Sequence, residues 1–232
     1  MAKKILIAII TCGDNWARAD AQRAMWVPDV VGADVRFFLS SQTREPREDE
    51  VFFLIDDSYL NLPQKVQCVI AWAWENGYEK IFKVDDDMVV FPARLLSAVP
   101  KGDYVGHAPV GQWWCSGLGY WLSRKAMKIL ATTEIPEDNE GEDRWIGRTL
   151  REHKILPVND QNIFPASVSP RYLAVTPSTK CTGEFVTLAE QERAYHGPKG
   201  WKERAAMLAE RAKTKERQRK ILRGDGRPLF ER

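Results

Sequence analysis

Short apolar runs alternate along this chain with stretches in which apolar positions recur at helical spacing. The strand-like runs are rich in Ile, Val and Phe and are bounded by turn residues. They lie at 4–10, 35–39, 51–55 and 80–84. Because strands that alternate with helices pair mostly in parallel, the pattern predicts an α/β protein whose mostly parallel central sheet is flanked by helices.

Three segments have helical signals. Between the third and fourth runs, one helix face consists of Val66, Val69, Ile70, Ala73 and Trp74. Pro63 suits the first turn of this helix, and Asn76-Gly77 supplies its end. A second helix is predicted over 123–131, with Ser123 as its N-cap. A third begins in GEDRWIG (141–147), where the helix dipole favours the acidic residues of the first turn.

Three consecutive carboxylates, Asp85, Asp86 and Asp87, end the fourth apolar run in KVDDDMVV. In parallel α/β sheets, ligands bind outside the carboxyl ends of the strands. Hard divalent metals take oxygen ligands and also bind phosphate oxygens, so the cluster predicts a metal-diphosphate site. A solvated acidic turn is the alternative interpretation.

The net charge of +2 conceals an asymmetry along the chain. Residues 193–232 carry 13 Lys and Arg against 5 Asp and Glu, which leaves 21 basic and 27 acidic residues in 1–192. An acidic body with a basic arm is typical of proteins that meet a polyanion, although a solvated surface helix has the same composition. We predict one domain over 1–200 and a basic, helical arm over 201–232.

The 232 residues are enough for one sizeable core. The apolar run near the N-terminus meets Gly13-Asp14-Asn15 at once, so it is too short for a membrane span and poor as a signal peptide. The four cysteines are scattered without metal-ligand spacing, which favours free thiols in a reducing compartment. These features predict a cytoplasmic location, in a bacterium or in a virus-infected cell.

Five motifs follow one another between residues 18 and 147. They are RADAQRAMW with Arg18, Arg23 and Trp26, FFLIDDSYLNLPQK at 52–65, KVDDDMVV, CSGLGYWLS at 115–123, and GEDRWIG. In this order they resemble the β-1,3-glycosyltransferases, the family of the β-1,3-galactosyltransferases, N-acetylglucosaminyltransferases and Fringe. The chain departs from the family pattern at Arg144, where an apolar residue is usual.

The resemblance implies a GT-A fold that binds a nucleotide sugar, works with Mn²⁺ or Mg²⁺ and inverts the anomeric centre. By motif position it implies that Asp87 ligates the metal, that Asp85 lies near the ribose or a metal-bound water, and that Asp143 is the catalytic base. It also implies nucleotide-sugar contacts for Asp86, Arg23, Lys65 and Gly117.

A further string, HGPKGW at 196–201, resembles a C-terminal element of several GT-A enzymes. There the histidine completes the metal shell and the lysine contacts the diphosphate, which implies these roles for His196 and Lys199. Imidazole together with carboxylate suits Mn²⁺. His107 and His153 have no such context, and we interpret both as structural.

Displacement at an anomeric carbon needs a base on one side and stabilisation of the leaving diphosphate on the other, which carboxylates at 85–87 and 143 can supply. We predict a metal-dependent inverting glycosyltransferase that uses a UDP-sugar. The basic arm favours 5-hydroxymethylpyrimidine in DNA as acceptor, as in virus-encoded DNA modification. The alternatives are a bacterial transferase that extends a polysaccharide or lipid-linked glycan, and a non-catalytic nucleic-acid-binding module on a decayed transferase fold.

Overall fold

The computed structural model describes a mixed α/β protein. It covers residues 4–40, 44–97, 99–136, 141–160, 163 and 175–177. The strands in these ranges are β1 (Ile5–Ile10), β2 (Asp34–Ser40), β3 (Glu50–Phe53), β4 (Lys80–Asp85), β5 (Met88–Val90), β6 (Tyr104–Gly106), β7 (Gly119–Ser123), β8 (Val158–Asn159) and β9 (Val175–Pro177). The α-helices are α1 (Trp16–Met25), α2 (Leu62–Glu75), α3 (Pro92–Ser97), α4 (Arg124–Thr132) and α5 (Glu142–Glu152).

Seven of the described strands form the central sheet, in the order β3-β2-β1-β4-β7-β6-β8. The neighbours from β3 to β4 are parallel, and β6 is parallel to β8. Only β7 among these strands runs antiparallel to its neighbours, β4 and β6. The mostly parallel sheet with flanking helices confirms the predicted fold class, and the four strands expected from the apolar runs are all present.

The sheet is covered on both faces, which explains why its strands are apolar at nearly every position. In β1, Leu6, Ala8 and Ile10 point to one face, where α2, α4 and α5 pack. The intervening Ile7 and Ile9 point to the other face, against α1 and α3. Residues 6–9 are fully buried, so β1 is the centre of the core.

The predicted helix boundaries follow from local chemistry. The Ser123 hydroxyl accepts a hydrogen bond of 3.2 Å from the Ala126 N–H and caps α4. Gly77, with φ of +76°, follows the C-cap of α2. The strand β7 was not expected, because its five residues sit directly before a helix and their alternation is too short to identify.

Two remaining features of the described residues are the length of the helices and the state of the cysteines. No helix in the described residues is long and apolar enough to cross a membrane. Cys12, Cys68 and Cys115 form no disulfide with one another, whereas Cys181 and the basic arm at 201–232 lie outside the described residues.

Candidate functional site

The three consecutive carboxylates lie where the two central parallel strands end. Asp85 is in register with Ile10, so the residues that follow β1 and β4 are neighbours. The Asp86 N–H donates to the Ile10 carbonyl at 3.1 Å, and the Thr11 hydroxyl donates to Oδ2 of Asp86 at 2.7 Å. The cluster therefore occupies the carboxyl edge of the sheet, which is where ligands of such sheets bind.

The three carboxylates have different surroundings. Asp85 is 23% exposed and pairs with the Lys83 ammonium at 2.8 Å. Asp86 is buried, and besides Thr11 it faces the Arg18 guanidinium at 3.4 Å. Burial is the largest influence and raises the pKa of Asp86; the neighbouring carboxylates add to this, while Thr11 and Arg18 oppose it. Asp87 is buried as well, at 6% exposure.

The metal prediction involves Asp87 and His196, and His196 lies outside the described residues. Within the described part of the chain, no group of three or more His, Cys, Asp and Glu side chains is arranged to hold a metal ion. Because both oxygens of Asp86 face Thr11 and Arg18, Asp86 is oriented into the protein. Metal binding at this edge remains a prediction.

A buried charge network joins the carboxylates after β4 to the start of α5. The Lys83 ammonium, 1% exposed, lies 2.8 Å from Asp85 and 3.6 Å from Oε1 of Glu142, and it donates to the Gly117 carbonyl. Oε1 of Glu142 also accepts a hydrogen bond from the Tyr120 hydroxyl. Burial disfavours the charged ammonium, but the Asp85 and Glu142 carboxylates outweigh it, and the pKa of Lys83 is raised.

The same network changes the acidity of Glu142. Burial, the largest influence, raises the pKa of this carboxyl to about 7, with Lys83 and the Tyr120 hydrogen bond opposing and the nearby carboxylates adding to the rise. Neither Lys83 nor Glu142 was a predicted site residue. Lys83 could have been suspected, because a lysine between apolar residues inside a buried strand requires an anionic partner.

Asp143 follows Glu142 in the first turn of α5 but faces a different environment. It is partly exposed, and its Oδ1 accepts a hydrogen bond of 2.8 Å from the Arg144 N–H. A Cβ built on Gly117 would lie 3.0 Å from Oε2 of Glu142 and 3.7 Å from Cβ of Asp143. The structure thus brings the predicted residues Asp85, Gly117 and Asp143 together, with Lys83 and Glu142 between them.

Lys65 lies at the same edge, next to the end of β1. Its ammonium contacts Oδ1 of Asp57 at 2.6 Å and donates to the Thr11 carbonyl, while Oδ2 of Asp57 accepts a hydrogen bond of 3.1 Å from the Gly13 N–H. Because Lys65 is only 4% exposed, its charge is directed at protein groups. It holds the segment before α2 against the loop after β1. Thr11 connects it to Asp86, because the Thr11 carbonyl accepts from Lys65 and the Thr11 hydroxyl donates to Asp86.

Arg23 is placed apart from this cluster. Its guanidinium pairs with Asp49 at 2.8 Å and Glu50 at 2.7 Å and lies 3.9 Å from the centre of the Phe37 ring. These contacts fix α1 to the β2–β3 pair. Lys199, the other predicted diphosphate contact, lies outside the described residues.

Two aromatic side chains flank the start of α5. Trp113 and Trp114 form a T-shaped pair with ring centres 4.7 Å apart, and both are partly exposed. The Arg144 guanidinium lies 5.3 Å from the centre of the Trp114 ring. A Cβ on Gly147 would lie 2.5 Å from Cβ of Trp114, so glycine is required there for the tryptophan to pack on α5. The aromatic pair is therefore anchored beside Asp143.

The two described histidines make local contacts within the fold. His153 is the C-cap of α5, and its Nδ1 lies 2.9 Å from the Thr149 carbonyl oxygen. Burial lowers the pKa of His107, whose backbone carbonyl accepts a hydrogen bond of 2.8 Å from the Ser116 N–H. Both placements agree with structural roles.

Comparison with known proteins identifies relatives by structure. No protein-family model and no curated protein sequence matches the chain. A glycosyltransferase involved in the glycosylation of the major capsid of PBCV-1 is similar in structure, with a TM-score of 0.54 and 15% identity over 82% of this chain and 98% of that chain. A candidate nucleotide-diphospho-sugar transferase from Desulfovibrio desulfuricans G20 has a TM-score of 0.45 and 11% identity over 68% of this chain and 80% of that chain.

At this level of identity the likeness defines the architecture only. The resemblance to the β-1,3-glycosyltransferases stays a prediction, because no family model matches. Together with the strand order, the first likeness gives the conclusion that the chain has a GT-A-like α/β fold.

Proposed function

We propose that this chain is a glycosyltransferase that moves a sugar from a nucleotide sugar, a UDP-sugar in our interpretation, to an acceptor hydroxyl. The observation that carries the proposal is the meeting of two carboxylate sets at the carboxyl edge of the sheet. Asp85–Asp87 follow β4, and Glu142 and Asp143 begin α5, with Lys83 between them. The GT-A-like fold supports the same class of chemistry.

The two neighbouring acids of α5 have separate roles in this proposal. Glu142 is turned inward to Lys83 and Tyr120, so it is a structural acid. Asp143 is partly exposed and can accept the proton of an acceptor hydroxyl. As the hydroxyl oxygen bonds to the anomeric carbon, the bond from that carbon to the diphosphate breaks on the opposite face, which inverts the configuration.

The leaving diphosphate requires positive charge on its side of the sugar. We assign Asp87 and His196 as ligands of Mn²⁺ or Mg²⁺, with Asp85 beside the ribose or a metal-bound water; Lys199 contacts the diphosphate. Carboxylate oxygen and imidazole nitrogen suit Mn²⁺. When bound, such an ion neutralises the charge that develops on the diphosphate. Asp87→Ala should therefore weaken Mn²⁺-dependent UDP binding severely in calorimetry, and unchanged affinity would remove this assignment.

A donor screen tests the function itself. Hydrolysis of a panel of UDP-sugars and other nucleotide sugars is measured with Mn²⁺ or Mg²⁺, and Asp143→Asn is compared with Glu152→Gln at the exposed end of the same helix. Asp143→Asn should retain donor binding and lose turnover by a factor of about 10² or more, the usual worth of general-base assistance. Equal losses of binding and turnover would make Asp143 a binding residue. Absence of hydrolysis with every donor would refute the transferase proposal.

For the acceptor we favour 5-hydroxymethylpyrimidine in DNA, in the cytoplasm of a bacterium or a virus-infected cell. The support is the charge asymmetry, 13 basic against 5 acidic residues in 193–232. The screen is repeated with hydroxymethylated duplexes, plain duplexes and soluble polysaccharide. Transfer only to polysaccharide would select the glycan-extending alternative, whereas DNA binding without turnover would select the non-catalytic module.

A further inference from the structure

Helix α5 presents a row of arginines that starts beside the proposed base. Arg144, Arg148 and Arg151 are spaced at i, i+4 and i+7, which places them on one face of the helix. Arg144 and Arg151 are exposed and Arg148 is partly buried. The opposite face, with Trp145, Ile146 and Leu150, is buried in the core. We call these three arginines the α5 basic track.

The side chains of the two exposed arginines of the track, Arg144 and Arg151, have no carboxylate partner within the described part of the chain. Among the described residues, neither Arg144 nor Arg151 forms an ion pair, whereas Arg23, Arg44 and Arg47 on the far side of the sheet all pair with carboxylates. Asp143 and Glu152 flank the track at its two ends. A cation in the first turn of a helix also opposes the helix dipole. Arg144 therefore opposes the dipole of α5, and its described side-chain contact is the ring of Trp114.

The length of the track matches a nucleic acid strand. With a rise of 1.5 Å per residue, Arg144 and Arg151 are about 10 Å apart along the helix axis. Along a stacked, B-form strand of DNA a phosphate recurs about every 3.4 Å of helix axis, so the track spans about three phosphates of a stacked strand and fewer of an extended one. Since the track begins next to Asp143, a DNA strand lying along it would bring one of its nucleotides to this proposed catalytic base.

The aromatic pair supplies the second element of a strand-binding surface. Trp113 and Trp114 are partly exposed, and the Arg144 guanidinium lies 5.3 Å from the Trp114 ring centre. Grooves for single-stranded nucleic acid combine basic residues that follow the backbone with aromatic rings on which bases stack. Both elements meet here at the start of α5.

We propose that the α5 basic track binds the phosphodiester backbone of an unpaired DNA strand and that Trp113 stacks on one of its bases. The proposal rests on the DNA acceptor proposed above and gives it a binding surface within the described fold. An exposed base on an unpaired strand is also what an enzyme needs if it modifies a base.

The test is a fluorescence anisotropy titration of the full chain with a labelled oligo-deoxythymidine strand across salt concentrations. Arg144→Ala with Arg151→Ala should weaken binding and reduce the slope of log K against log salt by about 1.4, because each phosphate contact on a single strand contributes about 0.7. Trp113→Ala should weaken binding by about 5-fold or more and leave the slope unchanged, since stacking releases no counterions.

Lys125→Ala with Lys128→Ala is the matched control, because it removes two exposed cations from α4. The control should retain both affinity and slope. Urea unfolding of every variant verifies that the fold is intact. Equal affinity and slope for the arginine variant and the unsubstituted protein would overturn the proposal, as would no detectable binding of the unsubstituted protein at low salt.

Competition separates DNA from other polyanions. Stronger displacement by polygalacturonate than by unlabelled oligo-deoxythymidine would overturn the DNA assignment. Donor hydrolysis of the unsubstituted protein without DNA is measured in parallel. If donor hydrolysis is observed and DNA binding is not, this inference is wrong and the transferase proposal stands. If no donor hydrolysis is observed, the transferase proposal is wrong, and the titration alone decides whether the track binds DNA.

Discussion

Glu142 should make the stability of the fold decrease between pH 5 and pH 8. In the folded protein burial raises the pKa of this carboxyl to about 7, from an ordinary value of 4.5. Between these values the folded protein holds a proton that the unfolded chain has released. The stabilising contribution is therefore complete below pH 4.5 and is lost as the pH rises through 7.

The magnitude follows from the displacement of the pKa. At about 1.4 kcal/mol per pKa unit, the full loss is about 3 to 4 kcal/mol, and integration of the two titrations places roughly 2 to 3 kcal/mol of it between pH 5 and pH 8. Glu142→Gln removes the titrating group and keeps an oxygen to which the Tyr120 hydroxyl can donate. The free energy of unfolding of the variant, relative to the native protein, should rise by roughly 2 to 3 kcal/mol over this range.

Urea unfolding of both proteins at several pH values from 5 to 8 measures this difference. Glu152→Gln, at the exposed end of the same helix, is the control for an amide substitution in α5. Curves for Glu142→Gln and the native protein that stay parallel within about 0.5 kcal/mol would refute the reasoning. Glu142 would then ionise alike in the folded and unfolded chains, and its burial against Lys83 would carry no cost.

Two further predictions concern packing and capping. Gly147→Ala should destabilise the protein by about 1 to 3 kcal/mol in urea unfolding, because the added Cβ would lie 2.5 Å from Cβ of Trp114. Gly13→Ala, where nothing lies within 4 Å of the added Cβ, is its control, and equal losses would contradict the packing argument. Ser123→Ala should lower the free energy of unfolding by about 1 kcal/mol through loss of the α4 cap, with Ser123→Thr retaining most of it. An unchanged melting temperature would count against the cap.

The sequence by itself was sufficient for the central layers of the fold. The apolar runs of β1, β2, β3 and β4 and the periodic face of α2 identify themselves within a few residues, because burial on both faces of a sheet demands apolar side chains at nearly every position. It also placed the carboxylates at the carboxyl end of β4, which is a consequence of local order along the chain.

The tertiary structure decided what these side chains face. Glu142 and Asp143 are adjacent acids in one helical turn, and only the position of Lys83, on a strand far away in sequence, separates a buried acid from an exposed one. Likewise the sequence predicted nucleotide-sugar contacts for Lys65 and Arg23. In the fold the Lys65 ammonium pairs with Asp57 and the Arg23 guanidinium pairs with Asp49.

The position of β7 between β4 and β6 was likewise decided by the tertiary structure. Its alternation over five residues is compatible with several partners, and the antiparallel pairing with β4 is determined by contacts between residues about 40 positions apart. Hydrophobic periodicity is a local property that a chain displays residue by residue. Which charges meet, and which strand lies beside which, depends on distant segments whose packing the local pattern does not encode.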